Sequence, residues 1–181
     1  MPVKFSNPKT LALPPGYTSV VEVTGPVKVV YFAGQLGIDT ENKFVGAAGD
    51  FRAQCEQAFE NMSKALDAAG ARWSDVVKIN NYLVDIERNM AAFRAVRDRF
   101  LGGKAPPAST TIGVPALARP GGLFEIEAVA VVARRSNSAA RPRVSNHRTS
   151  PRSRHKTATS RLSKPASSAW IPPMWLLSSN P

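Results

Sequence analysis

Apolar positions along the chain fall into two periods. Between Phe51 and Ala69 the period is helical. Phe51, Cys55, Ala58, Phe59, Met62, Leu66 and Ala69 recur at steps of three and four, while Arg52, Glu56, Glu60, Lys64 and Asp67 fill the opposite face. Asp50 is placed to cap this helix and Gly70 to end it. Met90, Phe93, Val96 and Phe100 repeat the helical spacing, with Asn89 as the expected cap and Gly102-Gly103 as the stop. Elsewhere the pattern is extended. Residues 18–23 and 27–33 are β-rich and separated by Thr24-Gly25-Pro26, which predicts a hairpin. Val76–Val84 predicts a single strand, and a short strand is expected near Val3. Residues 108–117 and 123–132 predict two more strands, joined as a second hairpin through the turn Arg119-Pro120-Gly121-Gly122.

The order β-β-α-β-α-β-β, with hairpins at both ends, predicts an α+β layer: a mixed sheet with two helices on one face. Two helices cover only one face of a sheet. Yet Val29, Val30, Tyr31 and Phe32 leave no polar face on their strand. On the last strand Phe124, Ile126, Ala128, Ala130 and Val132 share one face, and Glu125, Glu127, Val129 and Val131 share the other. The face away from the helices is thus expected to meet another copy of the chain, giving a homo-oligomer. The two carboxylates on a covered strand are the first place to look for chemistry, because a carboxylate removed from water needs partners or shifts its pKa; the simpler reading sets them at a strand end or subunit rim, solvated or paired.

Charge divides the chain of 181 residues in two. The formal net charge is +11, but ten of the 24 Lys and Arg lie from Arg134 onward, while all 13 acids lie at or before Glu127. The first 133 residues therefore carry 14 basic and 13 acidic groups, close to neutrality. Residues 1–133 are expected to form one domain. Residues 134–181, rich in Ser, Arg, Pro and Lys and without apolar period, are expected to be a disordered basic tail. If nucleic acid binds at all, the tail is where it is expected to do so, with steep salt dependence. Both histidines, His147 and His155, lie in it, so His-based metal sites and catalytic triads are not expected in the domain. Cys55 is the single cysteine; on an apolar stripe it predicts a buried, inert thiol. The N-terminal stretch has no apolar h-region and no run approaches a membrane span, which predicts a cytoplasmic location without membrane contact.

Six short pieces occur in a telling order: Gly34-Gln35; Ala68-Ala69-Gly70; Asp75-Val76-Val77-Lys78; Tyr82-Leu83-Val84-Asp85; Pro107-Ala108-Ser109-Thr110; and Glu125-Ile126-Glu127-Ala128. Together they resemble the RidA (YjgF) family of enamine/imine deaminases, over about residues 14–133. The resemblance implies a chorismate-mutase-like fold and a homotrimer with ligand clefts between subunits. It also implies a small-molecule substrate, no metal and no organic cofactor. The family's best-studied members hydrolyse 2-iminopropanoate and 2-iminobutanoate to the keto acid and ammonia, a role in metabolite damage repair.

By the same resemblance Glu125 matches the acid that positions water, Tyr17 matches a tyrosine lining the cleft, and Gly34 lies in the turn that borders it. The deaminases carry an arginine after the Pro-Ala of the Pro107-Ala108 segment, which pairs with the substrate carboxylate. Here that position is Ser109, and the serine preceding their Gly-Gln pair is Ala33. A hydroxyl replaces neither the charge nor the fork of a guanidinium, so activity on 2-imino acids is expected to fall by roughly two or more orders of magnitude unless another cation substitutes. Ser109, Thr110 and Thr111 would then offer neutral donors. Arg119 is the nearest basic residue in sequence, and a solvated turn is its simpler role. Two readings of the domain stay open: a hydrolase of reactive imines or enamines, and a non-catalytic small-molecule-binding trimer.

Overall fold

The computed structural model describes residues 3–101, 103 and 105–133, so the expectations for the tail and for Gly102 lie outside the described residues. The elements are β1 (Val3–Ser6), β2 (Val20–Val23), β3 (Val27–Leu36), α1 (Phe51–Ala68), a 3₁₀ turn (Trp73–Asp75), β4 (Val76–Val84), α2 (Ile86–Leu101), β5 (Ala108–Val114) and β6 (Phe124–Ala133). Two antiparallel strands, β1 and β2, form a small sheet of their own. The main sheet has the order β3-β6-β4-β5. In it β6 runs antiparallel to both neighbours, and β4 and β5 are parallel. This is the expected α+β layer of two helices on a mixed sheet.

Neither expected hairpin forms. Strand β2 pairs with β1 in place of β3, and β3 pairs with β6 along its length. Likewise β5 and β6 are separated by β4. Turn residues mark where the chain reverses, but pairing is decided by what each strand must bury. The unit β4-α2-β5 is a parallel crossover, which sends β5 to the free edge of β4. Strand β6, apolar on the helix side over its whole length, takes the centre. The connection from β5 to β6 is pinned by the buried Gln54 of α1. Its Nε2 donates to the Gly121 carbonyl at 3.0 Å, and its Oε1 accepts from the Leu123 amide at 2.9 Å.

Helix α1 starts as the pattern predicts, with the Asp50 carboxylate accepting from the Ala53 amide. It ends at the expected place, with Gly70 following at φ +70°. Helix α2 begins a turn before its expected cap. Asn89 lies inside it, donating from its amide nitrogen to the Asp85 carbonyl and from Nδ2 to the Val84 carbonyl at 2.8 Å. The left-handed Asp85 (φ +49°) makes the turn out of β4.

The core lies between the two helices and the sheet, and it is aromatic at its centre. Phe59 of α1 stacks on Phe124 of β6 (centroids 5.7 Å apart) and on Phe100 of α2 (5.0 Å). Phe124 also meets Phe51 and Phe93 at 5.9 and 5.6 Å. Cys55, Ala58, Met62, Leu66, Ile79, Leu83, Val96, Ile126 and Ala130 complete it. Burial pushes the Cys55 thiol well above the ordinary range, so it stays protonated and unreactive, in line with its place on the apolar stripe. Among the described residues, no helix is long and apolar enough to cross a membrane.

The opposite face of the sheet is open in the single chain. Tyr31 is 79% exposed there and Val29 45%. Because Phe59 joins both helices to β6, Phe59→Ala should lower unfolding stability by about 3–5 kcal/mol, read from the urea midpoint.

Candidate functional site

Alternation along β6 decides where its acids go. Phe124, Ile126, Ala128 and Ala130 are buried beneath the helices, so Glu125 and Glu127 rise onto the open face. The register brings Asn80 of β4 opposite Glu127, and Tyr82 opposite Glu125.

The two carboxylates differ in what holds them. Glu127 Oε1 accepts from Asn80 Nδ2 at 2.6 Å and from the Tyr82 hydroxyl at 3.0 Å. That bond keeps the Tyr82 proton in place and raises its pKa. Glu125 accepts no side-chain hydrogen bond among the described residues. Burial, and then the charge of Glu127, hold the Glu125 carboxyl above the usual range. Of the pair, Glu127 is the fixed anchor and Glu125 the group free to exchange a proton.

Gly34 belongs to the same half of the site. A Cβ added at this position would lie 1.7 Å from Glu125 Oε1, so a larger residue would displace the carboxylate from its place on the strand. The β3–β6 register shifts between Phe32 and Gln35, a bulge that re-aims the strand at this point. Helix α1 fixes the end of β3 through Asn61 Nδ2, which donates to the carbonyls of Leu36 and Ile38 at 3.0 and 2.8 Å.

Beside this pair, a cavity of about 420 Å³ is walled by Tyr31, Ala33, Lys78, Asn80, Glu127 and Val129. Lys78 donates from Nζ to Thr110 Oγ1 at 2.5 Å. Burial lowers its pKa and Glu127 opposes that shift. Glu125 is not among the walls of this cavity.

Tyr17, Ser109 and Thr110 lie elsewhere. They line a second cavity of about 340 Å³ at the edge strand β5, together with Pro15, Met90, Phe93, Arg94, Arg97 and Thr111. The segment carrying Tyr17 is tied to the lead-in of β5 by the next residue. The Thr18 amide donates to the Pro107 carbonyl at 3.1 Å, and its hydroxyl to the Pro106 carbonyl at 2.5 Å. Ser109 and Thr111 face the helices, where the buried Asn81 donates from Nδ2 to Ser109 Oγ at 3.1 Å and to Thr111 Oγ1 at 3.3 Å. The five residues singled out by sequence thus fall into two groups: Gly34 with Glu125 on one side, and Tyr17 with Ser109 and Thr110 on the other. Strand β4 lies between β6 and β5, and Ser109 and Glu125 point to opposite faces of the sheet.

Arg119 joins neither group. Its guanidinium donates to the Asn42 carbonyl and rests over the Phe44 ring, 5.2 Å from the centroid. Sequence reading passed over Asn80, Tyr82 and Arg97. The two asparagines in an apolar strand were a signal for the first. Arg97 sits four residues after Phe93, on the buried stripe of α2, a position where a charge is conspicuous. Among the described residues, no group of three or more His, Cys, Asp or Glu is placed to hold a metal ion.

The fold is an α+β domain of two helices on a four-stranded mixed sheet, with Glu125 packed on Gly34 of the neighbouring strand. Residues 10–132 match the family model described as Endoribonuclease L-PSP, and the chain belongs to this family, which is the RidA (YjgF) family. A 2-iminobutanoate/2-iminopropanoate deaminase of Dermatophagoides farinae is 36% identical over 121 residues, covering 64% of this chain and 85% of the relative. The human protein of the same name is 32% identical over 104 residues, covering 58% of this chain and 73% of the relative. Among solved structures, a Yersinia pestis member of the conserved Rid family superposes with a TM-score of 0.66 at 35% identity, covering 73% of this chain and all of that one. RidA from an Antarctic Psychrobacter gives 0.53 at 34% identity, covering 71% and 98%.

The raised Glu125 pKa has a consequence for stability. Folding favours the neutral carboxyl, so its contribution is fully present below the ordinary glutamate range and is lost as pH rises through the raised value. Glu125→Gln should therefore melt higher than the parent near pH 7, and the difference should close as pH falls through the acid range in a melting series.

Proposed function

We propose that this protein hydrolyses small reactive imines, of the 2-imino acid type named for its relatives, in a cleft completed by neighbouring copies of the chain. The observation that carries this reading is the pair of carboxylates on β6. One is held by Asn80 and Tyr82, while the other is unpartnered, raised in pKa and packed on Gly34. A carboxyl with pKa moved toward neutrality is suited to take a proton and return it.

In the reaction, Glu125 accepts a proton from water as the water oxygen bonds to the imine carbon. The same proton then passes to nitrogen. As the tetrahedral adduct collapses, its hydroxyl proton passes by way of Glu125 to the amine nitrogen, the C–O bond becomes a carbonyl, the C–N bond breaks and ammonia leaves. Water and imine are consumed; keto acid and ammonia are formed. The two halves of the site lie near opposite edges of the sheet, too divided for one small substrate to touch both within a chain. The open face with Tyr31 and Val29 supports an assembly in which copies close against one another, and family membership supports a trimer.

Four results test this. The full chain should release ammonia and keto acid from freshly generated 2-iminobutanoate. Glu125→Gln should reduce that turnover by roughly 10²–10⁴-fold, the usual worth of a general acid–base. Unchanged turnover would remove Glu125 from the chemistry. Sedimentation should give a trimer; a monomer at micromolar concentration would leave the cleft incomplete. Gly34→Ala should lower kcat while keeping the carboxylate, because the new methyl displaces it.

A further inference from the structure

Resting on that reading of the cleft, we propose that Arg97 of α2, with Arg94 at the rim, is the cation that holds the substrate's carboxylate. The positive charge has moved from the edge strand, where Ser109 stands, to the helix above it.

Arg97 is 7% exposed, deeper than a guanidinium is ordinarily found without strong partners. Among the described residues its ion pair is with the adjacent Asp98, whose Oδ1 accepts from Nε at 2.9 Å and from Nη2 at 2.7 Å. The Asp98 side chain is 63% exposed, so this partner is largely solvated. Among the described residues Nη1 makes no hydrogen bond. The guanidinium is held in place from two sides. The Phe93 ring lies beneath it, 5.6 Å from the centroid. The backbone of Gly16 lies against it with φ +87°, where a Cβ would come within 2.3 Å of Nη2.

The cavity beside Arg97 is built for an anion. Two arginines and the hydroxyl-bearing residues Tyr17, Ser109 and Thr111 are among those that line it, and no acidic residue is. Ser109 and Thr111 already accept from Asn81. Their own O–H protons are left to donate. Its volume of about 340 Å³ suits a small organic acid. Asp98 takes one edge of the planar fork; the Nη1 side, with hydroxyl donors beside it, is the arrangement that takes a carboxylate.

The test uses the full chain with 2-oxobutanoate as the carboxylate probe and 2-butanone as its uncharged counterpart, both by calorimetry. The parent should bind 2-oxobutanoate saturably and 2-butanone without saturation. Arg97→Gln should weaken 2-oxobutanoate about 10–100-fold. Arg97→Lys should recover part of the loss, since it restores charge but not the fork, and Arg94→Gln should cost less than Arg97→Gln. In imine hydrolysis the Arg97 variants should raise KM more than they lower kcat. Unchanged affinity in folded Arg97→Gln overturns the inference; should that variant not fold, unchanged affinity in both Arg97→Lys and Arg94→Gln does so. Normal binding in the Arg97 variants, with turnover lost in Glu125→Gln, leaves the hydrolase reading standing and this inference fallen. Binding through Arg97 without imine turnover in the parent gives the reverse. No saturable binding by the parent overturns this inference outright.

Discussion

The stack of Phe59 on Phe124 is the contact on which the remaining geometry depends. It joins α1 to the first residue of β6, and Phe93 and Phe100 bring α2 to the same point. With Phe124 held beneath the helices, the pleat leaves no choice for the next residue. Glu125 must face away, and Glu127 after it. A slip of one residue would bury both carboxylates and expose Phe124 and Ile126, at a cost no partner in the core could offset. The position of the candidate acid is therefore set by hydrophobic packing on the other side of the sheet, and not by any contact the acid itself makes.

The same constraint separates the roles of two chemically identical side chains. Glu127 sits opposite Asn80 and within reach of the Tyr82 hydroxyl, so its charge is met by two donors. Glu125 sits against Gly34 and has no such donor, and the charge of Glu127 opposes its ionisation. Environment alone divides the pair into an anchor and a proton carrier. Asn80 does this from β4, the strand whose neighbour Asn81 organises the hydroxyls of Ser109 and Thr111 on the opposite face. One strand thus supports both halves of the site, each from one side.

The helices, Val76–Val84 and the alternation of the last strand were legible because hydrophobic period reports burial, and burial drives these elements. The ordered short motifs made the family legible as well. Strand pairing was not legible. The Thr24-Gly25-Pro26 and Pro120-Gly121-Gly122 turns look like hairpins locally, but β3 and β6 pair across nearly a hundred residues because that pairing places the most apolar strand at the centre. Glu125 and Gly34 could be read as one site only through the resemblance; the register that joins them is long-range. Arg97 was hidden by its surroundings. On a buried stripe a charge reads as an interruption, and the Phe93 ring and the Gly16 backbone that hold it there come from a fold the pattern does not contain.

Where a cleft places its cation affects what it selects. An arginine on an edge strand swings on a long stem, and ordering it costs rotamer entropy at each binding event. Arg97 has lost that freedom already, because Phe93 and Gly16 confine the guanidinium in the absence of ligand. Preorganisation of this kind favours ligands whose carboxylate meets the guanidinium at one angle, and it penalises those that require the side chain to move. In the assembly we propose, the distance from this fixed cation to the Glu125 of a neighbouring copy would act as a ruler, set by the trimer and not by side-chain motion. Selection would then fall on the spacing between carboxylate and imine carbon, a property that 2-imino acids share and acids with the imine farther along the chain do not.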